Sequence, residues 1–429
     1  MKTTMLFMGA LAAGSLYAQD IAGDWQGAIK AGPRELRVIV HIEKGDNGVW
    51  KGTLASIDQS PDRGVTIPAD SVTLQGSDVK LGFATIGGRY EGKLSADGTS
   101  IAGTWNQGRP GPLDLNRATP ETAWKDPSPH TAQSVTVDKD VKLEVLDWGG
   151  TGRPMVLLAG LGNTAHIFDQ FAPKLMAQYH VYGITRRGYG ASSVPTSGYS
   201  ADRLGDDVLA ALDALKINKP VLVGHSIAGE ELSSVGSRHP EKVAGLIYLD
   251  AGYAYAYYDR SRGDFGIDLV DLQKKLEQLW PGKAPQDPKQ FLRELLETTL
   301  PQFEKDLRER QKELDTMSAA QLAAQGSGPG PMAAQAIGAG EQKYTNIPVP
   351  ILAIYAVPHD RGPTAGADSA ARATQEARDE ETTGAQAKAF EAGLPSAKVV
   401  RIPHADHYVF RSNEADVLRE MNAFVGGLK

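Results

Sequence analysis

Apolar side chains recur at every second position over residues 36–42, Leu36-Arg37-Val38-Ile39-Val40-His41-Ile42, the period of a strand with one buried face. Runs of this kind fill residues 19–117. Turn-forming clusters such as Gly45-Asp46-Asn47-Gly48 and Ala96-Asp97-Gly98 separate them, which predicts an all-β segment. Pro120, Pro127 and Pro129 then mark a connector over 118–134. From residue 135 the pattern changes to short apolar runs alternating with stretches of helical period, the mark of a mostly parallel sheet. Residues 141–148 read as an antiparallel edge strand, and 154–159, 180–185, 220–225, 243–249, 349–356 and 398–402 as core strands. Helices fit at 165–179, 201–216, 227–238, 368–393 and 413–425. Residues 253–345 hold helical stretches at 267–279 and 289–314 but no convincing strand. Residues 317–340, rich in Ala, Gly, Gln and Pro, predict a loop.

The 429 residues suffice for two domains, and a net charge of −7 gives no reason to expect nucleic acid as a partner. The chain has no cysteine, which excludes a thiol nucleophile and a cysteine-based metal site. Dispersed histidines and carboxylates predict no metal and no cofactor. Lys2, the apolar residues 5–13 and Leu16-Tyr17-Ala18 before Gln19 read as a leader peptide over 1–18, so the protein is expected to be exported, periplasmic or secreted. No later segment has the length and apolarity of a membrane span.

The chemistry centres on residues 220–229, Pro220-Val221-Leu222-Val223-Gly224-His225-Ser226-Ile227-Ala228-Gly229. An apolar strand turns through Gly-x-Ser-x-small into a helix, so Ser226 sits at a sharp turn flanked by the small Gly224 and Ala228. This resembles the nucleophile elbow of the α/β-hydrolases. Three further stretches strengthen the resemblance. The Gly160-Leu161-Gly162 loop is similar to the family's oxyanion loop, Arg187-Gly188-Tyr189-Gly190-Ala191-Ser192 to a structural turn, and His404-Ala405-Asp406-His407 to the histidine loop. The resemblance covers residues 135–429 and implies an α/β-hydrolase fold with a helical cap at about 253–345. The preceding β-segment resembles an accessory domain found ahead of some secreted bacterial α/β-hydrolases. Gly23-Asp24-Trp25 near its start is echoed by Gly103-Thr104-Trp105 near its end, so the two strands are expected to pair and close a small barrel or sandwich. Trp25, Trp50 and Trp105 are either a core or a ligand-facing set.

The family's order, Ser then acid then His, implies Ser226 as nucleophile and His407 as base, with His404 as the rival and His239 on the surface. For the acid the resemblance favours Asp360, in the loop after strand 349–356, over Asp250 at the end of strand 243–249. Backbone N–H groups of Leu161 and Ile227 are the implied oxyanion donors. The reaction expected is hydrolysis of carboxylic esters of small or medium substrates through an acyl-serine. An aminopeptidase or amidase of the same fold is the alternative, for which Glu230 and Glu231 are candidate anchors of a substrate ammonium. A polymer-binding protein with a vestigial hydrolase is the third reading. Tyr253, Tyr255, Tyr257 and Tyr258 either line a pocket or pack between cap and core.

Overall fold

The structure is a computed structural model that describes residues 20–31, 34–45, 48–56, 67–124, 128–283, 285–317, 332–360 and 369–428. The expected leader lies outside them, as does most of the expected loop at 317–340. The chain divides into two compact units, Met1–Asp126 and Pro127–Lys429.

In the first unit ten strands form one antiparallel sheet: β1 (Gly23–Ala31), β2 (Arg34–Lys44), β3 (Trp50–Ser56), β4 (Ile67–Pro68), β5 (Ser71–Gln75), β6 (Asp78–Phe83), β7 (Gly88–Leu94), β8 (Ser100–Gln107), β9 (Arg109–Pro112) and β10 (Leu115–Arg117). Their order is β4-β3-β2-β1-β10-β8-β7-β6-β5, with β9 also on β8. The two Gly-x-Trp strands do not pair. The short β10 lies between them, bonding Trp25 of β1 through Arg117 and Ile101 of β8 through Leu115. Trp25 and Trp105 are both buried in one core with Phe83 and Tyr90, and Trp50 packs against it half-buried. The tryptophans are therefore core residues, as alternation along β1 and β8 requires when one face of a sheet is covered.

The second unit is an eight-stranded sheet of β11 (Thr131–Asp138), β12 (Val141–Gly149), β13 (Arg153–Leu158), β14 (Tyr179–Ile184), β15 (Val221–His225), β16 (Gly245–Leu249), β17 (Ile351–Ala356) and β18 (Ala397–Ile402). Its order is β11-β12-β14-β13-β15-β16-β17-β18. The β11–β12 and β12–β14 pairs are antiparallel and the rest parallel. Leu222, Leu246 and Ala353 point into one buried cluster, while Val221, Val223, Ile247 and Ile354 point into the other. Both faces are covered, which is why these strands read as unbroken apolar runs.

Two local expectations change. The edge strand is β11, not residues 141–148. Only Val135 and Val137 of β11 turn inward, so its first half carries no apolar signal and reads as connector. Residues 165–179 form no α-helix but two 3₁₀ turns, Ala165–Phe168 and Ala172–Lys174. Pro173 supplies no N–H there, and the buried apolar residues fall at 165, 168, 171, 172, 175 and 179, largely a three-residue repeat that suits 3₁₀ geometry.

Between β16 and β17 lie the helices Phe265–Glu277, Pro288–Glu294, Leu300–Thr316 and Met332–Gly338. The second and third are joined by a π-helical turn, Leu295–Thr299. Ala333 and Ile337 of the last helix pack on Ile227 and Tyr255, so the insertion covers the turn after β15. No helix among the described residues is long and apolar enough to cross a membrane.

Candidate active site

The residues singled out in the sequence lie on the loops after the parallel strands β13, β15, β16, β17 and β18, where an open α/β sheet places its ligands. Ser226 occupies the turn from β15 into the helix Ala228–Arg238 with φ of 55°, a left-handed conformation that a non-glycine residue adopts only under tight constraint. Two close approaches supply the constraint. A Cβ on Gly160 would lie 2.8 Å from His225 Nδ1 and 3.0 Å from Ser226 Cβ, so only glycine lets the β13 loop rest on the turn. A Cβ on Gly229 would lie 2.0 Å from the carbonyl oxygen of Ala251. Gly229→Ala is thus expected to lower stability by about 2–3 kcal/mol as the helix start is pushed off the β16 loop. Thermal melts should show this beside an unchanged Gly426→Ala control, whose Cβ meets open space.

His407 lies on the loop after β18. Its Nδ1 is 2.6 Å from Asp250 Oδ2. Its ring packs 4.7 Å from that of His225, and its carbonyl lies 3.0 Å from His225 Nε2, which must therefore carry the proton and donate. His404, the rival, is exposed on the same loop, with Nδ1 3.9 Å from Glu376. His239 closes the elbow helix well away from this group.

Asp250, and not Asp360, meets His407. Asp250 is fully buried with φ of 47° at the end of β16. Its Oδ2 also accepts from Tyr253 Oη at 3.0 Å and faces His359 Nε2 at 2.8 Å, while Oδ1 accepts the Ala356 N–H at 3.0 Å. Burial pushes this carboxyl up, but the hydrogen bonds and charges of His359 and His407 outweigh burial and hold it down at about 2. Asp360 is exposed, and its backbone N–H donates to the Ala405 carbonyl. Both residues lie in the loop after β17, where His359 is part-buried against Asp250 and Asp379 while Asp360 is exposed. Both aspartates follow an apolar strand, so the sequence pattern does not separate them.

The sequence pattern does not single out His359 and Asp379, which the structure brings to the site. His359 Nδ1 lies 2.8 Å from Asp379 Oδ2, and the same oxygen accepts the His359 backbone N–H at 2.6 Å. Burial lowers the proton affinity of His359, but Asp250 and Asp379 together raise it above the usual imidazole range. The one sequence signal is a histidine beside the favoured aspartate.

The tyrosine cluster divides. Tyr253 reaches Asp250, and the hydroxyl of Tyr255 hydrogen-bonds with Ser226. Tyr257 packs in the core, and Tyr258 bonds Asp268. The turn at 187–192 is structural as expected. Arg187 is buried on Asp207 at 2.5 and 2.6 Å, and Ser192 donates to the Thr185 carbonyl. The candidate anchors also divide. Glu231 binds Arg186 at 2.6 and 2.8 Å, whereas both carboxylate oxygens of Glu230 are buried without a hydrogen-bond partner. Burial, followed by the charge of Glu231, pushes the Glu230 carboxyl well above its ordinary range.

Among the described residues two groups bring three side chains of metal-ligating type within 4.8 Å of one another: Asp250, His359 and His407, and His130, His166 and Asp169. Both consist of imidazole–carboxylate contacts. In the second, His166 lies between Asp169 at 3.2 Å and Glu144 at 3.3 Å, and its pKa is raised to about 9 because these hydrogen bonds and charges outweigh burial.

Residues 155–420 match the model of the alpha/beta hydrolase family. The chain is 24% identical over 149 residues to 2-(acetamidomethylene)succinate hydrolase of Mesorhizobium japonicum, covering 34% of this chain and 53% of that protein. It is 30% identical over 129 residues to 3-oxoadipate enol-lactonase 2 of Acinetobacter baylyi, covering 29% and 48%. The chain thus spans about half the length of these curated relatives. The solved structure of Est816, described as an N-acyl homoserine lactone degrading enzyme, aligns with 68% of this chain and all of its own at 23% identity and a TM-score of 0.43. A family model covering more than half of the chain, on a sheet ordered as described, shows that the protein belongs to the alpha/beta hydrolase family.

Proposed function

We propose that the protein hydrolyses carboxylic esters of small or medium substrates through an acyl-enzyme on Ser226. The observation that carries this is the strained serine at the strand-to-helix turn together with His407 Nδ1 held 2.6 Å from a buried carboxylate. With Nδ1 turned to Asp250, Nε2 is the nitrogen left to take the Ser226 proton as Oγ attacks the substrate carbonyl. Asp250 stabilises the imidazolium that forms. Backbone N–H groups of Leu161 and Ile227 are the donors for the tetrahedral oxyanion, each worth on the order of 10²-fold in rate. His407 then returns the proton to the leaving alcohol, and water, activated by the same imidazole, releases the acid. The helix over Ile227 and Tyr255 favours a substrate of limited size.

A second reading, an amidase or aminopeptidase, is favoured by one observation. Glu230, one helical turn after Ser226, is 0% exposed with neither oxygen partnered, and a buried carboxyl without a hydrogen-bond partner is costly. A substrate ammonium would supply that partner. The test is a series of p-nitrophenyl esters of increasing acyl length run beside aminoacyl p-nitroanilides. Ester turnover is expected to exceed anilide turnover, with Glu230→Gln changing KM for short esters less than about threefold. Faster turnover of anilides with a free amine, lost in Glu230→Gln, would replace the first reading by the second.

A further inference from the structure

His359 is placed where the reaction just described does not need it, yet each of its ring nitrogens faces a buried carboxylate. Its Nε2 faces Asp250 Oδ2 at 2.8 Å and its Nδ1 faces Asp379 Oδ2 at 2.8 Å. A neutral imidazole carries one N–H and can donate to only one carboxylate. With a carboxylate at each nitrogen, both contacts are hydrogen bonds only when the ring is an imidazolium. The site therefore contains a chain of alternating carboxylates and imidazoles, Asp379, His359, Asp250 and then His407, with the two imidazoles sharing one oxygen of Asp250.

We propose that His359 is a positioning residue that holds Asp250 in place and, as a fixed cation beside it, limits how much of the Asp250 charge reaches His407. This inference rests on the reading of His407 as the base. Asp379 is fixed in turn by the His359 backbone N–H and by Thr383 Oγ1, which donates to its Oδ1 at 3.1 Å. The ring centroids of His359 and His407 are 6.2 Å apart, within range for a partly buried charge to move the titration of the site by on the order of one pH unit.

The neighbouring elements also carry titratable groups. The loop after β16 contributes Tyr253, whose hydroxyl lies 3.3 Å from His359 Nε2, and Tyr255. Tyr355 comes from β17, and Asp360 follows His359 on its own loop. The helix Ser369–Asp379 brings Glu376 as well as Asp379, the histidine loop brings His404, Asp406 and Tyr408, and the elbow brings His225. Of these only His359 stands between two carboxylates, so its removal has a sign the others do not mimic.

The test uses the full chain. His359→Gln keeps a donor for Asp250 but carries no charge. Loss of a cation beside the acid–base pair favours proton uptake there, so the acidic limb of kcat/KM is expected to move to higher pH by about one unit. His404→Gln, a change on the exposed side of the histidine loop, should leave the limb in place. A purely structural role would lower kcat at all pH values without moving the limb. Circular dichroism and thermal melts confirm that the His359→Gln protein compared is folded. The second readout needs no turnover: in ¹⁵N-histidine-labelled Ser226→Ala protein at pH 7.5, the ring of His359 should show both nitrogens protonated, assigned by its loss in the double variant with His359→Gln. A neutral His359 ring, or a folded His359→Gln enzyme with an unmoved limb, overturns the proposal. A doubly protonated His359 in a protein that hydrolyses no ester would leave the inference standing and remove the esterase reading instead.

Discussion

Ser226→Ala is expected to reduce kcat for short p-nitrophenyl esters by on the order of 10⁶-fold, to the level left by binding and oxyanion donors alone. The substitution keeps a Cβ and removes only Oγ, so the left-handed turn at φ of 55° is asked of alanine as it was of serine. The helix Ala228–Arg238 should start unchanged, because the contacts that force the turn come from Gly160 and Gly229. Melting temperature and circular dichroism are expected to match the parent, and no burst of p-nitrophenol should appear in the first turnover. Turnover near the parental rate in the variant would show that the elbow serine is not the nucleophile.

Asp250→Asn carries the next largest effect, a loss on the order of 10⁴-fold in kcat, the cost of presenting His407 with an amide in place of a carboxylate. Asp360→Asn, by contrast, is expected to change kcat less than about twofold, because its carboxylate is at the surface and its place is held by its backbone N–H. Measured side by side, the two variants distinguish the aspartate that meets His407 from the one favoured by loop position. Asp250→Asn has a second consequence. The folded carboxyl is depressed to about 2, so the ion pairs it makes add stability above the ordinary carboxylate range and lose it as pH falls towards 2. Acid unfolding followed by fluorescence should therefore be less steep between about pH 4 and pH 2 in the variant. Equal loss of activity in both variants would remove Asp250 from its assigned role.

Much of the site was legible because it depends on local chemistry. Gly224, Ser226 and Ala228 lie within five residues, and a sharp strand-to-helix turn requires small neighbours at those positions whatever surrounds it. The β17 loop shows where such reading stops. His359 and Asp360 are adjacent, both polar and both in the loop past an apolar strand, and which one turns inward is decided by contacts far off in the chain, His359 with Asp250 and Asp379 and the Asp360 N–H with the Ala405 carbonyl. The β1–β10–β8 arrangement has the same cause. Two Gly-x-Trp segments predict two similar strands, but a three-residue strand between them carries too little pattern to be foreseen.

The residues by themselves determined the α/β alternation, the two-unit division, the Ser226 turn and the candidate base His407, since period, turn chemistry and chain order are local properties. Only the tertiary structure decided that Asp250 meets His407, that Glu231 is bound to Arg186 while Glu230 is unpartnered, and that His359 stands between two carboxylates. These facts join residues far apart in the chain, 157 apart for Asp250 and His407 and 109 for Asp250 and His359. Such contacts are set by strand register and by packing on both faces of the sheet, which no local pattern encodes.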